Sequence, residues 1–431
     1  MTFTARSLPD TPLVSASAPL PPSVDPVRLL AAYPRAARIY LSQPARQLTI
    51  AAVGVAVALE AAGPRRLSTL DALRRATPLP PDALWLGGWA FSDAAPRGAW
   101  RGFPSALLHA PRLAAIRTGS EGRLVALAAR PASATATLAE GRAALEACPP
   151  HASPRPRAWS LRAASPPDTW ERRVARTLED IAAGRLAKLV LARAVHLAAD
   201  APFDPLRTLE RLEAPPPEAT IFAIGRGDLT FLGATPERLV RVQGDRLETV
   251  ALAGTTRRTG LPALDARLGD TLRASAKERA EHAFVVDDVR RRLAPLTTHI
   301  EAPLAPELVG VSDLQHLRTP FVATLRAGRT LLEAAAALHP TPAVCGLPQP
   351  AALTVLRQRE RLARGWYTGG IGWLDARGEG EFVVPLRCAL VRGRSATLFA
   401  GAGIVAGSDP ARELEETRLK LRPLLAALLE W

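Results

Sequence analysis

The sequence predicts an α+β fold in which antiparallel β-sheets dominate. Amphipathic helices are predicted at Pro166–Ala183 and Leu268–Leu293, because apolar residues recur about every fourth position in each segment. Three short apolar runs follow one another closely and indicate a strand meander, at Thr220–Gly225, Leu229–Gly233 and Arg238–Gln243. Elsewhere helical and strand-like segments alternate irregularly, and no repeat of about 20–50 residues is visible.

The N-terminal part begins with a segment of low complexity. Residues 1–27 are rich in Pro, Ser and Ala and lack an apolar stretch of signal-peptide length, so we predict a disordered tail. The most apolar run, Leu48–Leu59, is shorter than the ~20 residues that a membrane span needs. Its β-branched residues favour one buried strand instead. Another strand is expected at Leu84–Phe91.

A proline-rich sequence, Pro149–Arg157 (PPHASPRPR), separates two parts of the chain. Clusters of proline and small polar residues are typical of linkers and loops. We expect one large domain over residues 28–431, with a variable N-terminal part at 28–156 and a motif-bearing part at 157–431.

The second part is expected to add four strands, at Lys188–His196, Gly369–Leu374, Glu381–Val391 and Ala396–Ala400. Arg387 lies within the third of these, among apolar neighbours. An unpaired guanidinium group would be costly there, so we expect it to have an anionic partner.

Composition limits the possible classes of protein. The chain of 431 residues has 48% hydrophobic and 22% charged residues, which is typical of a globular protein. Its net charge is +14, but the basic residues are scattered and only 5% of residues are aromatic, so we expect no nucleic-acid partner. Cys148, Cys345 and Cys388 are too widely spaced for a disulfide framework or a zinc site, and fit a cytoplasmic location.

The segment Gly401–Lys420 (GAGIVAGSDPARELEETRLK) contains the most informative local pattern. A glycine-rich turn, which lets backbone N–H groups approach an anion, leads to a helix with Asp409 as N-cap and Pro410 at its first position. Glu413 and Glu416 lie three residues apart, so both carboxylates share one face. Such a pair suits Mg²⁺, although a solvated acidic helix has the same pattern.

Further motifs precede this segment in a fixed order: KLVLAR at Lys188–Arg193, GATPERL at Gly233–Leu239, LAGTTRR at Leu252–Arg258, SAKERAEH at Ser275–His282, LQHL at Leu314–Leu317 and HPTPAVCG at His339–Gly346. Over roughly residues 160–425 the sequence resembles the chorismate-utilising enzymes, which include isochorismate, salicylate, anthranilate and aminodeoxychorismate synthases. The resemblance implies a two-layered α/β/α domain, with antiparallel sheets flanked by helices and the active site in a central cleft between two sheets.

The resemblance also implies an Mg²⁺ cofactor. Glu281 and Glu416 match the metal ligands of the family, and Glu413 would bind the ion directly or through water. The cation would hold the ring carboxylate of chorismate against glutamates that would otherwise repel it. From spacing alone, an ion pair between Glu281 and Lys277, four residues before it, would be the simpler explanation.

Other matches imply the residues that bind chorismate. Arg387 would grip the carboxylate of the enolpyruvyl arm in a bidentate fork, and Tyr367 would contact the same arm. Lys420 matches a lysine on the substrate side, but an i, i+4 salt bridge to Glu416 explains it equally well. His316 would bond near the ring hydroxyl or orient a carboxylate, unless it is a structural histidine bonded to backbone. The remaining positions assigned to substrate binding are Gly254, Thr255, Ala343, Gly401 and Gly403.

Two matches imply the acid and the base. Lys188, at the start of a predicted strand, would accept a proton from water, because a cleft that excludes water favours the neutral amine. Glu237, in the sequence TPERL, matches the general acid of the family. A carboxyl group kept protonated in an apolar pocket can protonate a leaving hydroxyl.

Position 188 separates the branches of the family. Members that use ammonia carry glutamine there, whereas this chain has Lys188, so water is the expected nucleophile and no glutaminase partner is implied. Ala343 follows HPTP, where isochorismate synthases carry a small apolar residue and salicylate-forming enzymes a threonine-like one. The sequence is therefore most like an isochorismate synthase, with salicylate synthase as the alternative.

A basic binding protein without activity is the competing class of function. Such a homologue would be expected to lose Lys188, Glu237 or a metal-binding glutamate, and all of these are present. We expect a monomer or weak dimer without a membrane partner. The sequence leaves open whether isochorismate would supply menaquinone or siderophore synthesis.

Overall fold

The computed structural model describes residues 12–148, 155–213, 219–311 and 314–429. These residues form two antiparallel sheets with helices on their outer faces, so the predicted α+β class is confirmed. Within the described ranges, no helix is long and apolar enough to cross a membrane.

The helices and strands have the following bounds. The strands are β1 Val14–Pro19, β2 Arg38–Gln43, β3 Leu48–Val53, β4 Val57–Ala61, β5 Leu84–Trp89, β6 Ala106–Ala110, β7 Leu113–Thr118, β8 Glu121–Ala128, β9 Trp159–Ala163, β10 Lys188–Ala199, β11 Thr220–Arg226, β12 Leu229–Thr235, β13 Arg238–Gln243, β14 Arg246–Arg257, β15 Thr297–Glu301, β16 Glu307–Val311, β17 Leu314–Leu325, β18 Gly346–Leu347, β19 Gly370–Asp375, β20 Gly380–Val383, β21 Cys388–Arg392 and β22 Ser395–Ile404. The helices are α1 Arg28–Ala32, α2 Arg66–Ala76, α3 Pro131–Ala147, α4 Pro167–Ala182, α5 Pro205–Glu213, α6 Pro262–Ala274, α7 Ala276–Leu293, α8 Leu331–Leu338, α9 Gln349–Arg359 and α10 Pro410–Leu429.

The larger sheet has twelve strands in the order β1-β8-β7-β3-β2-β11-β12-β21-β22-β10-β18, and β9 also pairs with β10. The smaller sheet has ten strands in the order β15-β17-β14-β13-β20-β19-β5-β6-β4, and β16 also pairs with β17. Strands from the two parts of the chain pair directly in both sheets, as β2 does with β11 and β5 with β19. Every pairing between described strands is antiparallel.

The two sheets share one core of buried side chains. Aromatic rings fill it, and the Trp100 ring lies 5.1 Å from that of Phe231 and 5.6 Å from that of Phe399. Helices α1, α3, α5 and α10 cover the outer face of the larger sheet, and α2, α7 and α8 cover that of the smaller one. The layers are therefore helices, sheet, sheet and helices, because each sheet buries both of its apolar faces.

The prediction of a disordered tail is wrong for residues 14–19. They form β1, which pairs with β8 from Val14 opposite Ala128 to Pro19 opposite Arg123. The composition of this segment by itself indicates disorder. Its backbone hydrogen-bonding groups are satisfied by β8, which lies more than a hundred residues away and which local composition does not reveal. Residues 1–11, and residues 149–154 of the predicted linker, lie outside the described residues.

Two predicted elements are each divided in the structure. The run Leu48–Leu59 forms β3 in the larger sheet and β4 in the smaller one, and the chain turns between them at Gly54, whose φ is +68°. The helix predicted at Leu268–Leu293 is two helices, because Ser275 has extended dihedral angles and its hydroxyl accepts the N–H of Glu278 at 3.3 Å. The other predicted helix and the meander strands are confirmed.

Candidate active site

A cavity of about 490 Å³ lies between the larger sheet, the smaller sheet and the helices α7 and α10. Its walls contain all the residues predicted for catalysis, substrate binding and metal binding except Thr255: Lys188, Glu237, Gly254, Glu281, His316, Ala343, Tyr367, Arg387, Gly401, Gly403, Glu413, Glu416 and Lys420. Thr255 lies in β14 with its backbone opposite His316, and its side chain is outside the described part of the structure.

Lys188 is the first residue of β10 and is 7% exposed. Its Nζ donates a hydrogen bond of 2.6 Å to Glu281 Oε1 on α7, which joins the larger sheet to the helix across the cavity. A Cβ atom on Gly403, in the neighbouring strand β22, would lie 3.0 Å from Lys188 Cε. Glycine at 403 therefore leaves space for the lysine to reach the cavity.

Glu237 lies in the connection between β12 and β13, held by two backbone hydrogen bonds. Its N–H donates to Thr235 Oγ1 at 3.2 Å, and its carbonyl accepts from Val384 N at 2.9 Å. Burial raises the pKa of the Glu237 carboxyl to about 7, against the opposing effects of Lys188, Lys420 and Thr341. Glu237 also lines the cavity, so its carboxyl group can carry a proton into the site near neutral pH.

Four glutamates line the cavity, Glu278 and Glu281 from α7 and Glu413 and Glu416 from α10. The predicted N-cap of α10 is observed, because Asp409 Oδ1 accepts the N–H of Arg412 at 2.9 Å. Sequence reasoning missed Glu278, although its spacing of three residues from Glu281 repeats that of Glu413 and Glu416.

The carboxylates form a donor set that fits a hard divalent cation such as Mg²⁺, since oxygen ligands from two facing helices enter one cavity. Lysines balance two of them: Glu281 pairs with Lys188, and Glu416 Oε1 accepts from Lys420 Nζ at 2.6 Å. Among the described residues, no three His, Cys, Asp or Glu side chains converge on one point as they stand. The predicted metal ligands remain Glu281, Glu413 and Glu416. Glu278 is a fourth candidate.

Lys420 combines the two roles considered for it. It forms the i, i+4 salt bridge to Glu416, and it also lines the cavity and donates a hydrogen bond of 3.0 Å to the carbonyl of Gly401. His316 likewise lines the cavity while interacting with the backbone of Gly254. Burial, followed by the charges of Lys420 and Arg387, lowers the pKa of His316 to about 4, so its imidazole is neutral at pH 7.

Arg387 does not lie inside a strand, which corrects the prediction of one strand at Glu381–Val391. The chain leaves the smaller sheet after β20 and enters the larger sheet at β21, and Arg387 stands just before β21 with φ of +45°. Pro385 has no N–H to donate to a ladder, which explains why pairing stops there. The turn brings Arg387 to the wall of the cavity.

Tyr367 is buried against the same region of the larger sheet. Its ring stacks on Phe399 with centroids 5.3 Å apart and an angle of 16° between the planes. A Cβ atom on Gly401 would lie 3.0 Å from Tyr367 Oη, so glycine leaves the hydroxyl open to the cavity. Burial raises the pKa of Tyr367, and the phenol therefore remains a hydrogen-bond donor.

A buried ion pair that sequence reasoning missed, Arg364 with Glu360, supports the floor of the cavity. Arg364 donates to both carboxylate oxygens of Glu360 at 2.6 Å and to the carbonyls of Val190 and Val344 at 2.8 Å. Glu360 also accepts the N–H of Ala192 at 2.9 Å. The pair thus ties β10, two residues after Lys188, to the loop that carries Ala343. Its i, i+4 spacing is equally typical of a surface pair, so the sequence did not reveal it.

Replacing Arg364 by methionine is expected to lower the free energy of unfolding by about 3–5 kcal/mol, because Glu360 would be left buried without its partner. Urea denaturation measures the effect. Arg377→Met is the control, since Arg377 is 75% exposed in its pair with Asp375, and should change stability by less than about 1 kcal/mol. Equal losses in the two variants would contradict a structural role for the buried pair.

The sequence and the fold match known proteins over the whole chain. The family described as chorismate binding enzyme matches residues 2–429. The "Salicylate biosynthesis isochorismate synthase" of Pseudomonas aeruginosa is 37% identical over 98% of this chain and 92% of its own length. The isochorismate synthase DhbC of Bacillus subtilis is 39% identical over 61% of this chain and 68% of its own length.

Solved structures agree with this assignment. The menaquinone-specific isochorismate synthase MenF from Escherichia coli superimposes with a TM-score of 0.85 and 26% identity, covering 100% of this chain and 96% of MenF. Anthranilate synthase component I from Streptococcus pneumoniae, at 20% identity and a TM-score of 0.76, shares the fold. The chain therefore belongs to the family of chorismate-binding enzymes.

Proposed function

We propose that the protein is an isochorismate synthase, which converts chorismate to isochorismate with Mg²⁺ as cofactor. The observation that carries the proposal is a pair of groups facing one cavity, the buried amine of Lys188 and the carboxyl of Glu237 with its raised pKa. Such a pair can move protons in opposite directions at neutral pH. The relatives in P. aeruginosa, B. subtilis and E. coli are all named isochorismate synthases, which supports the same reaction.

The substrate is a dianion, and the cavity supplies two kinds of partner for it. Arg387 and Lys420 line one region and would bind the carboxylate of the enolpyruvyl arm, with the Tyr367 hydroxyl as a further donor. Glu281, Glu413 and Glu416, with Glu278 beside them, would hold Mg²⁺, which supplies positive charge for the ring carboxylate when bound. His316 is neutral and would donate a hydrogen bond to a ring hydroxyl.

The reaction exchanges one hydroxyl for another. Lys188 accepts a proton from water as the water oxygen bonds to C2 of the ring. The two ring double bonds shift, the C4–O bond breaks, and Glu237 gives its proton to the departing hydroxyl, which leaves as water. One water enters and one leaves, so the step is an isomerisation. The reverse reaction uses the same two groups with their roles exchanged.

Lys188 must release its proton before it can act as a base. In the structure its ammonium group is bonded to Glu281 at 2.6 Å. A glutamate that ligates a cation offers less negative charge to a neighbouring ammonium group. Cation binding at Glu281 would therefore weaken its ion pair with Lys188.

The expected product is free isochorismate, with little or no salicylate at neutral pH. Salicylate formation needs the enolpyruvyl arm held so that the C2 hydrogen can transfer to it. Ala343 supplies no polar group for that pose at the cavity wall. The test incubates the protein with chorismate and Mg²⁺, follows salicylate fluorescence, and measures isochorismate with a coupling enzyme. EDTA should abolish turnover, and ammonium salts should yield no anthranilate.

Two results would contradict this proposal. Stoichiometric salicylate without the coupling enzyme would establish the salicylate synthase alternative. Unchanged turnover in EDTA would remove the metal from the reaction.

Replacing Arg387 by alanine is expected to raise KM for chorismate by roughly 10- to 150-fold, the loss of one hydrogen bond to a charged group. Alanine retains the left-handed backbone strain at this position, so stability should change little. Arg392→Ala is the matched control, because Arg392 is in the adjacent strand, 57% exposed and paired with Asp228. A lower melting temperature with unchanged KM would instead assign Arg387 a structural role.

A further inference from the structure

A second cavity, of about 830 Å³, adjoins the Arg364–Glu360 pair. It is lined by the start of α2, the loop at 90–97, parts of α8 and α9, and residues 360–365. None of the residues assigned to catalysis, substrate or metal lines it. Its volume is in the range of about 300–1,000 Å³ that is typical of small-molecule sites.

Positive charge dominates the walls of this cavity. Arg364 is neutralised by Glu360, which leaves Asp93 as the remaining acidic residue among the described lining residues. Five further arginines line the cavity, at positions Arg65, Arg66, Arg97, Arg357 and Arg361. The cavity is therefore suited to an anion.

Arg66 is the group that points most directly to a ligand. It is 8% exposed, and its Nη2 donates to the carbonyl of Ala90 at 3.0 Å. Its Nε is buried without a hydrogen-bond partner, and no carboxylate in the described ranges lies within 4.0 Å of its guanidinium. Asp93 affects it only through space. A buried guanidinium without an acidic partner is costly, and an anion in the cavity would neutralise its charge.

Apolar side chains form part of the wall. Leu67, Phe91, Leu353 and Leu356 line it, and the Phe91 ring lies 4.3 Å from the Arg364 guanidinium. A flat ring would pack against the small apolar surface that these side chains still expose, whereas an inorganic anion would not. We propose that this cavity is a second binding site, for a small aromatic carboxylate whose anionic group is held by Arg66. A guanidinium group binds a carboxylate with two parallel hydrogen bonds.

The second cavity shares a wall with the candidate active site but not its volume. Arg364 bonds the carbonyls of Val190 and Val344, which line the active-site cavity. His339 lines the second cavity, and its Nε2 bonds the carbonyl of Thr368 at 2.9 Å on the other side. A ligand here would therefore bind without displacing chorismate.

The test measures binding of benzoate to the full-length protein by calorimetry. Acetate provides the charge alone, benzyl alcohol the ring alone, and inorganic phosphate a different anion. Benzoate should bind at least about 10-fold more tightly than each of these. Arg66→Met should raise the Kd for benzoate by about 10-fold or more, which is the effect of losing one charged hydrogen bond. Arg75→Met, on the exposed side of the same helix, should leave it unchanged within twofold.

Ala336→Trp provides an independent variant, since Ala336 is exposed on α8 and lines the cavity without contributing charge. The indole ring should occupy the second cavity and abolish benzoate binding. This variant therefore tests the proposed site even if Arg66→Met does not fold. Benzoate affinity should also be unchanged in saturating chorismate. Displacement by chorismate, equal affinity for acetate or phosphate, or full binding in both variants would overturn the proposal. These measurements do not depend on turnover, so they can fail or succeed independently of the proposed synthase activity.

Discussion

Replacing Lys188 by alanine is expected to lower kcat by about 10²- to 10⁴-fold, the usual contribution of a general base. The physical reason is that, among the described side chains, the other amine at the cavity cannot replace it, because Lys420 is bonded to Glu416 and Gly401 on the α10 side. Single-turnover and steady-state rates of chorismate consumption measure the effect. Binding of chorismate should change much less than turnover.

Several measurements separate a chemical role for Lys188 from a structural one. The variant leaves Glu281 without its ammonium partner, so the melting temperature is recorded beside the rate. Added methylamine should restore part of the rate in proportion to its free-base concentration. His196→Ala is the control, because His196 is exposed on the same strand and bonds Thr397 outside the cavity. An alanine variant that keeps more than a tenth of wild-type turnover would exclude Lys188 as the base.

Replacing Glu237 by glutamine is expected to reduce kcat by a similar factor, about 10²- to 10⁴-fold, because the amide cannot give a proton to the leaving hydroxyl. In the wild-type enzyme the acid must be protonated, and burial places its pKa at about 7. The value of kcat/KM should therefore fall above pH 7, tenfold per pH unit, and glutamine should remove this limb. Glu121→Gln, at an exposed position of β8, should retain the wild-type profile.

The same variant should be more stable than the wild type at alkaline pH. Below the usual glutamate pKa of 4.5, residue 237 is protonated in both the folded and the unfolded chain, and glutamine changes little. Between pH 4.5 and about 7 the unfolded chain ionises while the folded one does not, so wild-type stability falls as pH rises. By pH 8 this amounts to up to about 3 kcal/mol, at about 1.4 kcal/mol per pH unit.

Urea denaturation at pH 4.5 and pH 8 measures this difference. The expected outcome is a gap between variant and wild type that opens with pH. A gap that is equal at both pH values would mean that the carboxyl of Glu237 ionises normally, and it would weaken its assignment as the acid.

Short motifs in the sequence predicted residues that the structure brings together. Lys188, Glu237, Glu281, Glu416 and Arg387 stand in separate motifs, and the structure places all of them around one cavity. The chemistry of each residue type limited what it could do: oxygen ligands for a cation, a guanidinium for a carboxylate. Their assignment to individual roles remains a prediction that the variants above test.

Features that depend on distant partners were missed or misjudged. The pairing of β1 with β8 is one such feature. The low-complexity composition of residues 14–19 does not reveal that their partner strand lies more than a hundred residues away. The Arg364–Glu360 pair has the spacing of a surface pair, and only burial distinguishes it. Arg387 was placed in a strand, because its apolar neighbours do not reveal that the chain crosses from one sheet to the other at Pro385.

The family, the α+β class and the candidates for catalytic groups follow from the order and identity of residues along the chain, because local motifs carry that information. The protonation state of Glu237, the Lys188–Glu281 bond and the second cavity around Arg66 do not. Each depends on which atoms surround a group in space and on how much water they exclude. Burial and distance arise when segments remote in sequence pack together, and no short stretch of the sequence contains them.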